Sequence, residues 1–99
     1  MPSYVLSFRG RPDRVADPDQ EAAWGQWFGE IGSRITDFGH RVGQVSSLGP
    51  RAAGDGQDVL AGYVVITAGN LDEAVDVASG CPGLKHGGSV EVGEAVVES

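Results

Sequence analysis

The sequence predicts an α+β domain: one four-stranded antiparallel sheet with two helices on one of its faces, in the order βαββαβ. Three observations carry that expectation. Apolar residues alternate at period two in YVLSF (4–8), and short apolar runs bounded by turn residues recur in VLAGYVVITA (59–68) and SVEVGEAVV (89–97), as strands require. Between them, WGQWFGEI and LDEAVDVAS repeat their apolar residues at helical steps. With 99 residues, 40% of them hydrophobic, the chain has room for one core, so residues 1–99 are read as a single domain structured over about 4–97.

The first strand sets Tyr4, Leu6 and Phe8 against Val5 and Ser7 and ends at Gly10 and Pro12. The first helix opens with Asp17 as N-cap, Pro18 in the first helical position and Gln20 placed to complete a capping box. Trp24, Trp27, Phe28, Ile31, Ile35 and Phe38 follow at steps of three and four, which predicts a helix over about 18–38 with this stripe on the sheet. Gly25, Gly29 and Gly32 each lower helicity by about 1 kcal/mol relative to alanine, so packing of the stripe must hold the helix. RVGQVSSL (41–48) is the expected second strand, and the turn residues of 49–58 predict an exposed loop. The third strand is apolar on both alternating sets, Leu60, Val64 and Ile66 on one and Ala61, Tyr63 and Val65 on the other, as in a strand covered on both faces. Asn70 and Glu73 form a capping box for a second helix that closes at Gly80 and Pro82.

Two crossovers around a hairpin give the ferredoxin-like arrangement, which leaves one sheet face bare. A strand apolar on both sides, with Val64, Ile66 and their neighbours as the uncovered surface, predicts that this face meets a second copy of itself, making a homodimer of the dimeric α/β barrel type.

Charge narrows the partners. The net charge is −7, and all of it lies after residue 51, where eight carboxylates face Lys85 alone. Only Arg9, Arg11 and Arg14 cluster, so a nucleic-acid partner is not expected. No apolar run approaches the ~18 residues of a membrane span, and the arginines near the N-terminus follow the first apolar run, the reverse of a secretory signal. A cytoplasmic protein without a membrane partner is expected, and the single cysteine agrees.

The stretch CPGLKHGGSVEV (81–92) sets Cys81 five residues before His86. A nucleophilic thiol needs a helix N-terminus or a cation beside it, whereas Cys81 follows a helix C-terminus; a turn and a small buried hydrophobe are the expectation. Two ligands fall short of a metal site, and Gly87 and Gly88 precede a strand, unlike a phosphate-binding loop; no metal, nucleotide or redox cofactor is expected. Trp24, Trp27 and Phe28 are either core or the walls of an apolar pocket. Asp37, His40 and Arg41, the one tight cluster of acid, base and anion contact, would then serve it where the end of helix one meets the second strand and the 49–58 loop.

The run GYVVITAGNLDEAVDVASGCP followed by GGSVEV resembles the C-terminal half of the YCII-related, DGPF-type domains, and the tryptophan-rich first helix extends the likeness to about residues 4–97. The resemblance implies a dimeric ferredoxin-like barrel. It implies no single activity, although a few members resemble dehydrochlorinases and muconolactone-isomerase-like enzymes. Some members pair a histidine early in the first helix with an aspartate near its end as an acid/base dyad. Here that helix has no histidine, only Asp37 can be matched, and AAGDGQDV stands where DGPF is expected. Three readings follow: a homodimer binding a small apolar or aromatic molecule in a cleft between helix one and the sheet, with or without vestigial acid/base chemistry at Asp37 and His40; a non-catalytic assembly module; and a redox or metal protein using Cys81 and the histidines.

Overall fold

The computed structural model describes residues 2–11, 17–46, 48–49 and 59–96. Strand β1 (Ser3–Gly10) leads to helix α1 (Pro18–Ile31), a short 3-10 turn (Gly32–Arg34) and strand β2 (Ile35–Asp37). Strand β3 (Val59–Thr67), helix α2 (Leu71–Ala78), a 3-10 helix (Pro82–His86) and strand β4 (Ser89–Glu94) complete the fold. The sheet order is β2-β3-β1-β4, with every neighbouring pair antiparallel, so both helical connections cross over a strand. This is the expected α+β, ferredoxin-like βαββαβ arrangement.

The core lies between the helices and one sheet face. β1 alternates strictly, burying Tyr4, Leu6, Phe8 and Gly10, and β3 buries Gly62, Val64 and Ile66 beside them. Trp27 and Ile31 from α1 and Ala74 and Ala78 from α2 close over that surface, and the register Leu6↔Val64 and Tyr4↔Ile66 keeps the apolar sets together. Phe8 stands edge-on to Trp24 at 4.9 Å and to Trp27 at 5.8 Å between ring centroids, an arrangement favoured by the aromatic quadrupole.

Both capped helices begin where their caps predict. Asp17 Oδ1 accepts the Asp19 N–H at 2.9 Å, and Asn70 Oδ1 accepts the Glu73 N–H at 2.8 Å. Neither forms a full reciprocal box: the Gln20 side chain turns to Asp17 Oδ2, and Glu73 Oε2 accepts from Gly69, one residue before the cap.

Three sequence expectations are corrected. Helix one ends at Ile31, not near residue 38, because Gly32 and Ser33 are poor helix formers and the β-branched pair Ile35 and Thr36 pays less in a strand. The second strand is therefore Ile35–Asp37, with Ile35 opposite Ile66; among the described residues of 41–48, only Arg41 forms a bridge, to Gly62. Ile35 still packs against the core, which is why its spacing imitated a helix. The third correction concerns β3: Val64 and Ile66 lie beneath the helices, 2% and 0% exposed, so they cannot supply the bare face. That face carries Val5, Ala61, Tyr63 and Val65 among Ser3, Ser7 and Thr67, all half-buried. Arg14 and most of the expected 49–58 loop fall outside the described residues.

Candidate functional site: an aromatic cavity beside the first helix

Because β2 runs parallel to β1, the chain leaving β2 returns to the end of the sheet at which α1 begins. There residues 38–42 rejoin the β3 edge after a break: the Val42 N–H donates to the Ala61 carbonyl at 2.9 Å and the Tyr63 N–H to the His40 carbonyl at 3.3 Å. Gly39 makes the break possible. Its φ is +60°, and a Cβ there would land on the Tyr63 carbonyl oxygen and within 2.7 Å of the Tyr63 ring.

Between this segment, α1 and the sheet lies a cavity of about 400 Å³. Phe8, Gly62 and Val64 form its buried floor, Trp24 and Phe28 are half-buried lining residues, and Phe38, His40, Arg41 and Glu21 are exposed at its rim. Gly62, opposite Phe8, adds no side chain to that floor, and a Cβ there would stand 3.2 Å from the His40 carbonyl oxygen. Arg41 Nη2 reaches Glu21 Oε1 at 3.3 Å, linking the β2 edge to α1, and the His40 ring lies 6.2 Å from that of Tyr63.

Of the six residues singled out from sequence, the fold brings Trp24, Phe28, His40 and Arg41 to one cavity and leaves Trp27 and Asp37 outside its described lining. Trp27 is 5% exposed and belongs to the core. Asp37 is exposed, and its Oδ1 accepts the Gly39 N–H at 2.8 Å, holding the turn that precedes His40. The cavity sits by the N-terminal half of α1, not at its end as expected, since the helix stops at Ile31 and β2 carries His40 and Arg41 back. Sequence reasoning missed Glu21, Phe38 and Tyr63. A signal for part of this existed: Asp17, Gln20, Glu21, Trp24, Gly25 and Phe28 recur at alternating steps of three and one, a helical stripe of their own adjoining the core stripe of Trp27 and Ile31.

Cys81 is 2% exposed in the core. Burial pushes its thiol pKa up, partly offset by the backbone N–H groups of Gly83 and Leu84. His86 is exposed at the end of the 3-10 helix, and Gly87 (φ +81°) supplies the left-handed turn that ends it. A Cβ on Gly88 would stand 2.9 Å from the Arg9 carbonyl oxygen, so the second glycine permits close approach to β1. Among the described residues, no three His, Cys, Asp or Glu side chains gather to hold a metal, and no helix is long and apolar enough to cross a membrane.

The sequence profile of the YCII-related domain family matches residues 10–96. The chain belongs to that family. No curated protein and no solved structure matches this YCII-related domain.

Proposed function

We propose that this YCII-related domain binds a small planar apolar or aromatic molecule in the cavity between α1 and the sheet. One observation carries the reading: a hollow of about 400 Å³ whose lining includes Phe8, Trp24 and Phe28, with polar groups confined to the helix start and the rim. That is the usual composition of a small-molecule site, apolar walls with a few orienting groups. The size admits one or two fused rings. Any acid/base chemistry in it would fall to His40, since Asp37 is engaged by Gly39 outside the described lining. We place the domain in the cytoplasm as a homodimer joined through its open sheet faces, supported by the Val5, Tyr63 and Val65 strip and by a cysteine kept as a buried thiol.

The test is a screen of aromatic fragments by protein-observed NMR on the wild type and on Gly25→Leu. Gly25 lines the cavity, and a Cβ there meets nothing within 4 Å, so the leucine fills the hollow without breaking a contact. Binding by wild type with shifts at Trp24 and Phe28, abolished in the filled variant, is the expected result. Fragments that bind both proteins equally would overturn the reading.

A further inference from the structure

We propose that the ligand of the aromatic cavity is an aromatic carboxylate, and that Glu21 is an internal competitor which its carboxylate displaces from Arg41. This rests on the small-molecule reading above and goes beyond it by naming the ligand's charge and the residue that limits its affinity.

The rim of the cavity holds unused hydrogen-bonding capacity. Asp17 lines the cavity, but one of its oxygens caps α1 through the Asp19 N–H and the other takes the Gln20 amide at 3.5 Å. One oxygen of this acid is thus committed as the helix cap, and the other makes only a long contact within α1. Arg41 is the one guanidinium in the described lining, and a guanidinium carries five N–H donors in a fixed fork. Its described side-chain contact is one end-on approach, Nη2 to Glu21 Oε1 at 3.3 Å, longer than a strong charge-assisted bond and lacking the paired geometry this fork can make. Donors therefore outnumber committed acceptors at the rim.

Glu21 and Arg41 are both exposed, with side chains 53% and 74% accessible, so solvent weakens their pair and either can rotate away cheaply. A planar ring resting against the Trp24 and Phe28 pair could direct a carboxylate to the rim, where it could take the bidentate approach to Arg41 that Glu21 does not make. Glu21 sits one turn before Trp24 on the same face of α1, so it stands over the ring it would have to admit. Its present contact occupies the guanidinium when the cavity is empty and sets a threshold that only a better-placed anion crosses.

The experiment measures binding of 2-naphthoate, its neutral isostere 2-naphthamide and the cation 2-naphthylmethylamine by calorimetry. It uses wild type, Glu21→Gln, Arg41→Gln and the double variant, each checked for an unchanged thermal transition. Wild type is expected to prefer naphthoate. Glu21→Gln should tighten naphthoate by about two- to five-fold, the size of an exposed ion pair, and leave naphthamide unchanged. Arg41→Gln should erase the preference for naphthoate, and in the double variant the gain from Glu21→Gln should vanish; 1 M salt should shrink both effects in the wild type. Equal binding of naphthoate and naphthamide across all four proteins would overturn this inference and leave the cavity reading standing. Tighter binding of the cation, weakened by Glu21→Gln, would overturn it by making the carboxylates the recognition groups. Binding of none of the three would overturn both.

Discussion

Gly39 shows how much of the site depends on single residues. No Cβ fits at its position, where the backbone is left-handed and Tyr63 lies against it, so Gly39→Ala must push the 38–42 segment off the β3 edge. A loss of more than about 1 kcal/mol in urea unfolding is expected, with displaced amide resonances at His40 and Arg41. A variant as stable as wild type, with those resonances unmoved, would show that the segment does not pack this way. Cys81 makes the opposite kind of statement. Buried and with its thiol pKa raised, it should react with iodoacetamide in the native state far more slowly than in the unfolded chain, where it regains an ordinary pKa of about 8.5. Labelling at the same rate in both states would return the thiol to the list of functional groups.

At the scale of elements, the 3-10 turn that precedes β2 is tied to α2 by charge. Arg34 Nη1 lies 2.8 Å from Glu73 Oε1 and also approaches the Thr67 carbonyl, while Thr67 Oγ1 donates back to the Arg34 carbonyl. The Gly69 N–H, and then Arg34, hold the Glu73 carboxyl below its usual pKa. A depressed folded-state pKa means that the contribution is full above the unfolded value of about 4.3 and is lost as pH falls through the lower folded value. Glu73→Gln should therefore be less stable than wild type at pH 7 and pH 5, and the gap should close below about pH 4 as the wild-type carboxyl protonates. A gap that persists unchanged at pH 3 would mean the glutamate acts through something other than its charge.

For the whole molecule, the helices cover one sheet face and the open one carries a modest apolar strip. Val5 faces Val65 across the β1–β3 pair, with Ser7 opposite both Tyr63 and Glu91. This is less apolar than a strand buried on both sides would present, yet a face-to-face pair is the arrangement that removes Val5, Tyr63 and Val65 from water. Light scattering at micromolar concentration should give a dimer, and Val65→Lys, which sets two charges into the paired faces, should give a monomer that remains folded. A wild type that scatters as a monomer would defeat the pairing.

The local code was legible in the sequence wherever one segment's chemistry sufficed. The Asp17 and Asn70 caps, the strict alternation of β1 and the glycine turn before β4 were each readable because their causes lie within a few residues. The order of elements follows from the same signals, and the family from the run of residues 62–82 with GGSVEV after it. What the tertiary structure alone decided are the cases where two local patterns compete or where partners are distant in the chain. Ile35 fits a helical stripe and a strand equally well, and only its place opposite Ile66 selects the strand. Val64 and Val65 are both apolar, and only the closure of α1 and α2 determines which one is buried under the helices. The cavity is the clearest instance: Glu21 and Arg41 stand twenty residues apart, and they meet because β2, parallel to β1, carries the chain back to the end of the sheet where α1 begins. Period and capping act over one or two turns, whereas a site is made by the return path of the backbone, which only the packed sheet specifies.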